Sequence, residues 1–353
     1  MPSPSVVETT RLTLRPPTTG DRDDWVRLHR DPRTYWHAPH AMSQSDDDAA
    51  DFLDRSLAHW DERGFGFWVA QDRGTGDVVG VCGLKVIEDV FLNLYYRLTH
   101  DSLGRGLGRE MSRASVAYAV EWLPRLPVRA LVKEVNAPSV ATALGTGLER
   151  AGTRVLHDDL PDEPPSTVFE APIIEAATSF DATTHEEVLD LWMRTNEAGG
   201  AVGFLPGAPR VRVEAALNAS EERMAEGSRV AVVQRSAADG ALLGLAFLAE
   251  AGGRLQAHER WVYTVMTEPS RRGQNLGRIL MAGTHRVARE AGVEILTLGV
   301  RSGMGTTAFY EACGYRESGR ILGGIRVEDG DDRDNITMTR RLDGRTLTPD
   351  PRG

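Results

Sequence analysis

The segment at residues 261–292 combines three successive patterns of apolar and polar positions. Its first six residues are apolar or β-branched, as in a buried strand. A polar stretch that contains Pro269 interrupts this pattern. From Leu276 the apolar residues recur at spacings of three, four and seven, which is typical of one helix face (Ile279, Leu280, Val287 and Ala291), and Gly292 ends the pattern. The order predicts a strand, a tight turn at residues 271–278 and a helix.

The same order occurs earlier in the chain. Residues 91–98 predict a strand, and residues 103–109 form a glycine-rich turn. The apolar positions that follow predict a helix that ends before Pro124. The last glycines of the two turns, Gly108 and Gly277, are 169 residues apart in a chain of 353. Repetition at about half the chain length predicts two copies of one fold.

Other stretches show the strand and helix periodicities. Strand patterns occur at residues 10–15, 66–70, 78–84, 128–132, 167–170, 173–176, 228–233, 242–248 and 295–300. Helix patterns begin at Asp21, Asp46, Asn136, Thr184 and Thr306. At the fourth of these, Thr184 and Glu187 have the spacing of a capping box. A cluster of aromatic residues and histidines at 35–40 lies in a predicted loop, where we expect local packing and keep the wall of an acceptor pocket as the alternative.

A length of 353 residues is typical of two domains. The acidic, proline-rich segment at residues 157–166 is either an interdomain linker or a long loop before the last strand of the first half. We place the boundary at Pro172. This gives domains at 1–172 and 173–343, and an expected disordered tail at 344–353.

The two turns have the chemistry of an anion site. Glycine and asparagine leave backbone N–H groups accessible to a ligand, and each turn opens a helix, whose N-terminus carries a partial positive charge. Such a turn can hold a diphosphate without a lysine or a metal.

The second turn resembles motif A of the GNAT family of N-acetyltransferases, whose signature is Gln/Arg-x-x-Gly-x-Gly/Ala. Arg272 and Gly277 match it, and Asn275 replaces the middle glycine, since asparagine tolerates a left-handed conformation. In the first half Gly106 and Gly108 match, while Leu103 replaces the leading residue. The resemblance implies two domains of α/β (α+β) class, each a mixed, mostly antiparallel sheet flanked by helices.

The resemblance also implies coenzyme A binding, with the turn on the pyrophosphate and a splayed strand on the pantetheine arm. The residues implied in the second half are Val265, Met266, Arg271, Arg272, Gly273, Gln274, Asn275, Gly277 and Arg278. Those in the first half are Leu98, Gly104, Arg105, Gly106, Gly108, Arg109, Asn136 and Ser139. The donor expected is acetyl-CoA, another acyl-CoA or an acyl-pantetheine on a carrier protein.

The first half is similar to the GNAT branch that acetylates ribosomal-protein N-termini and small amines. The likeness covers most of residues 8–157 and is carried by residues 10–15, 66–68, 80–84, 96–98, the glycine turn, Asn136 and Ser139. In that branch the Asn and Ser contact the coenzyme. Helix capping is the alternative role for both.

Acyl transfer to an amine needs a held thioester, a neutral amine and a proton for the departing thiolate. The family pattern Tyr-x-x-x-Gly-Phe matches residues 310–315, so Tyr310 is implied as the acid. Glu259, at the start of the strand before the turn, is the candidate base, with a solvated strand end as the alternative. The first half has Ala143 where we expect the tyrosine. We therefore expect the second half to catalyse, and the reverse assignment stays open.

Composition narrows the partners. The net charge is −10 and neither half has a basic excess, which argues against nucleic acid. No apolar run reaches about 18 residues, so no membrane span is expected. Cys82 and Cys313 are the only cysteines, which is typical of a reducing, cytoplasmic setting and gives no metal spacing. The acceptor expected is an amine, first a small metabolite or antibiotic, second a protein N-terminus.

Two other functional classes fit the sequence less well. A dinucleotide-binding oxidoreductase would need a third glycine where the chain has Arg109, and a P-loop would need Gly-Lys-Ser/Thr, which is absent. The non-enzyme alternative is a degenerate GNAT tandem that binds coenzyme A or another ligand as a sensor or scaffold. Turnover with an amine distinguishes this alternative from an enzyme.

Overall fold

A computed structural model describes residues 3–155, 163–345 and 347. The residues form two compact units, the first at Met1–Pro172 and the second at Ile173–Gly353. Most of the expected tail at 344–353 lies outside the described residues.

The first unit contains one sheet and four α-helices within the described residues. Along the chain its elements are β1 (Val7–Glu8), β2 (Leu12–Arg15), α1 (Arg22–His29), α2 (Asp46–Arg63), β3 (Phe67–Asp72), β4 (Val78–Ile87), β5 (Phe91–Leu98), α3 (Leu107–Trp122), β6 (Val128–Val132), α4 (Ala137–Gly145), β7 (Glu149–Arg154) and β8 (Ser166–Glu170). The strand order across the sheet is β1-β2-β3-β4-β5-β6-β8-β7. Every neighbouring pair is antiparallel except β5 and β6.

The second unit repeats this plan. Its elements are β9 (Ile173–Ala177), α5 (Ala182–Glu197), α6 (Arg210–Ala225), β10 (Arg229–Arg235), β11 (Leu242–Glu250), β12 (Glu259–Thr267), α7 (Leu276–Glu290), β13 (Ile295–Arg301), α8 (Thr306–Ala312), β14 (Arg316–Glu328) and β15 (Asp331–Arg341). The order is β14-β15-β13-β12-β11-β10-β9, and β12 with β13 is the one parallel pair among the described strands. The predicted mixed, mostly antiparallel sheets flanked by helices are confirmed.

Burial of one face fixes α7 against the sheet. Leu276, Ile279 and Leu280 are 3% exposed or less, as the spacing predicts. The predicted stripe is wrong at its end, because Ala291 is exposed and Ala288 is buried instead. An α-helix has 3.6 residues per turn, so positions seven residues apart rotate gradually away from one face. Over a stripe of fifteen residues this rotation moves the last predicted position out of the buried face.

The predicted cap of α5 is also wrong. The helix begins at Ala182, and Asp181 is its N-cap, with the side chain accepting a hydrogen bond from the Thr184 N–H at 2.7 Å. An aspartate satisfies an orphan N–H as well as a threonine does. The helix therefore starts one turn before the predicted capping box.

In each unit the two parallel strands separate near the turn. β5 and β6 pair only at Leu92 and Asn93, and β12 and β13 pair only at Glu259, Arg260 and Trp261. Beyond these residues the strands splay apart. In the second unit a cavity lies between their ends, and in the first unit a cavity lies between the end of β5 and the start of α4. The sheet thus positions the turn, the open strand end and the next helix around one space.

Candidate active site

Two left-handed residues shape each turn. In the second unit Gly273 has φ of 81° and Asn275 has φ of 72°, and Asn275 is the N-cap of α7. In the first unit Gly104 has φ of 74° and Gly106 has φ of 75°. The pairs are related by the 169-residue repeat, so the two turns have one backbone conformation. The expectation that Asn275 substitutes for a glycine by adopting the left-handed region is confirmed.

The turns present unused backbone donors. Within the described residues the N–H groups of Leu276 and Gly277 donate no hydrogen bond. In the first unit the same holds for Gly106, Leu107 and Gly108. These groups lie at the starts of α7 and α3, where the helix dipole also favours a negative charge. Both turns therefore fit a phosphate group, and the first offers more donors.

Several arginine side chains predicted to contact the coenzyme are engaged elsewhere. Arg278 donates to the carbonyl of Ala312 at 2.7 Å, and its own N–H donates to the carbonyl of Asn275. Arg105 pairs with Asp72 at 3.0 Å.

The remaining three also have protein neighbours. Arg271 donates to Gln274 at 2.9 Å, and Arg272 donates to the carbonyl of Ala198 at 3.0 Å. Arg109 lies against Gly145, where an added Cβ would come within 2.7 Å of its Nε. These guanidinium groups have protein neighbours near the turns, so backbone N–H groups are the main donors that the turns offer to a phosphate.

The cavity of the second unit has a volume of about 550 Å³. It lies between the splayed ends of β12 and β13, the loop that follows α5, and the hairpin of β14 and β15. Its lining includes residues 200–205, 265–267, 299–301 and 325–327, together with Thr195, Arg272, Thr306, Tyr310 and Asn335. Val265, Met266 and Tyr310, predicted from separate motifs, thus share one space.

Tyr310 faces this cavity from α8. The side chain is half-buried, and within the described residues its hydroxyl makes no hydrogen bond. Burial, and then the neighbouring Cys313, raises the pKa of Tyr310 above its usual value. A hydroxyl that has no protein partner and borders a cavity is available to a ligand.

Glu259 does not lie in this cavity. It is the first residue of β12, and its carboxylate accepts a hydrogen bond from Thr297 at 2.7 Å. Val265 is six residues further along the strand, roughly 20 Å away at about 3.3 Å per residue. The structure therefore does not bring the predicted base to Tyr310, because the strand runs from Glu259 toward the turn. Among the described residues, the lining of the cavity contains no Asp, Glu or His.

Gly277 is restricted by packing. A Cβ at this position would lie 3.2 Å from the ring of Phe309. Phe309 precedes Tyr310 on α8, so the glycine sets how closely α7 and α8 approach. At the twin position, a Cβ on Gly108 would meet only the Leu98 side chain at 3.5 Å, an ordinary contact.

The first unit has a smaller cavity of about 200 Å³ at the equivalent place. Its lining includes Tyr96, Leu98, Gly108, Asn136 and Ser139. Asn136 also caps α4 by accepting from the Ser139 N–H at 3.3 Å, so both interpretations of this pair are compatible with the geometry. No tyrosine lies on α4.

The residue of the first unit that matches Tyr310 is an alanine. The two helices end in the same way, because the Tyr315 N–H donates to the Tyr310 carbonyl at 3.0 Å and the Leu148 N–H donates to the Ala143 carbonyl at 3.3 Å. This match at the helix ends pairs Tyr310 with the predicted Ala143. A count of 169 residues from the N-caps gives Ala141 instead, because α4 has nine residues and α8 has seven.

The residues of the cluster at 35–40 fit two different interpretations, local packing and a pocket wall. Tyr35 is buried, and its ring lies beneath the Arg97 guanidinium at 3.5 Å. Trp36 and His37 line the first cavity, and Trp36 is 55% exposed. Local packing explains the first residue, while the next two form a pocket wall.

Two features of the sites are not evident from the sequence. β12 carries a bulge at Thr264, which has φ of 51°, and the pairing with β11 shifts there. Thr264 gives no signal, because threonine is a favoured strand residue. The second feature is Arg97, which the sequence shows only as part of a motif. A charged residue between Tyr96 and Leu98 in an otherwise apolar strand is the signal that could have indicated it.

No cluster of His, Cys, Asp or Glu that could hold a metal ion occurs within residues 3–155, 163–345 and 347. In the same part of the chain, no helix has both the length and the apolar character needed to cross a membrane.

The sequence matches two families of known proteins. Residues 11–149 match one described as an acetyltransferase (GNAT) domain, and residues 181–315 match the acetyltransferase (GNAT) family. Together the matches span well over half of the chain.

Solved structures similar to about half of this chain are also acetyltransferases. An acetyltransferase from Agrobacterium tumefaciens is 24% identical over 48% of this chain and 94% of its own, with a TM-score of 0.40. A ribosomal-protein-alanine N-acetyltransferase from Brucella melitensis is 20% identical over 48% of this chain and 99% of its own, with a TM-score of 0.40. The ribosomal-protein-S18-alanine N-acetyltransferase from Escherichia coli is 17% identical over 51% and 98%, with a TM-score of 0.36. At these values the family matches, and not the structural scores, carry the assignment.

Proposed function

This chain belongs to the GNAT family of N-acetyltransferases, with two of its domains in tandem, and we propose that the second unit carries out the transfer. The acetyl group of acetyl-CoA, or the acyl group of a related thioester, passes directly to an amine in the cavity beside Tyr310. The observation that carries this proposal is the unpartnered hydroxyl of Tyr310 at the splayed ends of β12 and β13.

The coenzyme would bind along a path that starts at the turn. The N–H groups of Leu276 and Gly277 would receive the pyrophosphate. The pantetheine arm would follow the open edge of β12 at Val265 and Met266, where β13 no longer pairs. The thioester would then lie in the cavity that Tyr310 faces.

In the reaction the amine nitrogen attacks the thioester carbon, and the carbon–sulfur bond breaks as the new C–N bond forms. Tyr310 donates its proton to the departing sulfur. A thiol has an ordinary pKa of about 8.5 and a phenol of about 10. Burial raises the pKa of Tyr310 further, which keeps the phenol protonated before the thiolate forms.

The acceptor would react as a neutral amine. Arg272 and Arg301 line the cavity, as does Arg326, which is paired with Asp332 at 2.8 Å. No carboxylate or histidine lines it among the described residues. Nearby positive charges disfavour an ammonium ion and so lower the pKa of a bound amine. The proton is then lost to water, which removes the need for Glu259 as the base.

The acceptor class follows from the size of the cavity. A space of about 550 Å³ suits a small molecule. We therefore place a small amine first and a protein N-terminus second.

A screen of amines with acetyl-CoA, read by release of free thiol, tests the function. Turnover is expected with at least one small amine and is expected to collapse in Tyr310→Phe. Tyr263→Phe is a matched control, because Tyr263 lies on the same unit, is 43% exposed and does not line this cavity. Acetyl-CoA binding without thiol release for any amine would favour a sensor or scaffold. A titration without any acetyl-CoA binding would contradict both.

A further inference from the structure

Arg97, on β5 of the first unit, is a half-buried cation held only by neutral groups. Its Nε donates to the Tyr95 hydroxyl at 3.0 Å, and its Nη1 donates to the carbonyl of Thr34 at 2.6 Å. The ring of Tyr35 lies 3.5 Å from the guanidinium carbon. Within the described residues no carboxylate forms an ion pair with Arg97, and Nη2 has no hydrogen-bond acceptor.

The cavity beside Arg97 has no negative side chain. Among the described residues, its lining contains Arg33 and Arg97 but no Asp or Glu. Burial, and then the charge of Arg97, lowers the pKa of His37, which therefore adds no charge at neutral pH. The exposed Arg33 is neutralised by Asp31 at 2.7 Å. A local excess of positive charge in a chain of net charge −10 thus comes from Arg97.

The equivalent position of the second unit has an uncharged residue. Counting 169 residues from Arg97 leads to Met266, which is 2% exposed and belongs to the apolar core of the second unit. Moving a cation out of water without an ion partner costs free energy that hydrogen bonds to neutral groups offset only in part. Packing alone therefore does not account for an arginine here.

We propose that the cavity of the first unit binds a small molecule that carries a carboxylate, held by Nη2 of Arg97. A guanidinium is well suited to a carboxylate, since it remains charged and offers directed N–H groups. Trp36 would cover the rest of the ligand, because it lines the same cavity and is largely exposed. This site lies in the unit to which no catalysis is assigned, so it does not depend on the proposed transfer.

The phosphates of coenzyme A have a different place in this unit. The N–H groups at Gly106, Leu107 and Gly108 lie at the start of α3. The contacts of Arg97 are instead with Thr34 and Tyr35, in the loop between α1 and α2. The carboxylate site therefore lies beside the loop between α1 and α2, in the same cavity that Gly108 borders.

The test is calorimetric titration of the intact chain with the twenty amino acids and their C-terminal amides, with and without coenzyme A. Each pair differs only in the carboxylate, and a single amino acid suits a cavity of about 200 Å³. At least one acid is expected to bind about tenfold or more tighter than its amide, since a hydrogen bond between two charged groups is stronger than one to a neutral group. Arg97→Met should abolish that preference and Arg97→Lys should retain part of it.

Arg27→Met is the matched control, because Arg27 is an exposed arginine on α1 that lines no part of this cavity. It is expected to bind the acid as the wild type does. Equal binding of acids and amides by the wild-type chain would overturn the proposal, whether or not the variants fold. The proposal also fails if Arg97→Met keeps the preference, or if it weakens coenzyme A binding alone. Thiol release by the second unit, measured in parallel, separates failure of this site from failure of the transfer.

Discussion

The strand before the turn is regular in the first unit and bulged in the second. β5 pairs with β4 at eight successive residues, Phe91–Leu98, without a shift. β12 shifts against β11, so that Thr264 and Val265 together lie opposite Ala246, and Thr264 has φ of 51°. A left-handed conformation costs a β-branched residue roughly 1–2 kcal/mol. Strain of this kind tends to persist where it serves a site.

The side chains that line the two cavities also differ between the units. The second unit has Tyr310 on α8 and a larger space, while the first has an alanine at the matching place on α4 and Arg97 on its strand. The first turn nevertheless offers more unused N–H groups. Both units thus have a turn that fits a phosphate, but their cavities differ. The turn alone therefore does not identify the catalytic unit.

The largest expected effect is at Tyr310. Tyr310→Phe keeps the ring and removes only the unpartnered hydroxyl, so kcat should fall about 10²–10⁴-fold, as for loss of a general acid. Acetyl-CoA affinity and the melting temperature should change little. Steady-state kinetics and thermal melts check this. A kcat within a few-fold of wild type would make the tyrosine a packing residue and end the proposed asymmetry.

The glycines at the two turns test the comparison next. Gly277→Val should reduce turnover by about 10²-fold, because the added carbon atoms push Phe309 and so displace Tyr310, and small misplacements have effects of this size. Gly108→Val should leave most of the activity, since its nearest neighbour is a flexible leucine at 3.5 Å. The readout is thiol release by both variants. If Gly108→Val is the more damaging, the catalytic unit has been assigned wrongly.

The sequence was sufficient for the repeat and the turns because both depend on local rules. Asn275 could be assigned to a left-handed position, since few residues other than glycine adopt one. The β14–β15 hairpin was not predicted, because β14 is almost wholly exposed and shows no apolar alternation. The bulge at Thr264 depends on pairing with β11, which no local pattern encodes. Glu259 was chosen because it starts the strand before the turn, and the sequence alone does not show that the length of this strand separates it from the cavity beside Tyr310.

The pH dependence of the second unit follows from the raised pKa of Tyr310. Since the pKa is raised, the phenol stays protonated over a wider range, and its acid role is lost only as pH rises through that pKa. kcat should therefore rise as the acceptor amine loses its proton and should show no alkaline decline up to about pH 10. Rate measurements between about pH 6 and pH 10 check this. A decline centred below about pH 10 that disappears in Tyr310→Phe would show that burial does not protect the phenol.

The smallest expected effect is at the start of α4, where the units differ in how the helix is capped. Asn136 caps α4 with its side chain, whereas Gly305, its twin at α8, has no side chain to do so. Asn136→Ala should cost about 1 kcal/mol of the free energy of unfolding, and the melting temperature should fall by about 2–4 °C.

Asn136→Ser restores a capping oxygen but not the amide. If the residue also contacts coenzyme A, the serine variant will melt like wild type and still bind coenzyme A more weakly in the first unit. Binding is measured in a Gly277→Val background, which weakens the second site. If the serine variant recovers both melting and binding, Asn136 is a cap alone, and the coenzyme in the first unit is held by the turn.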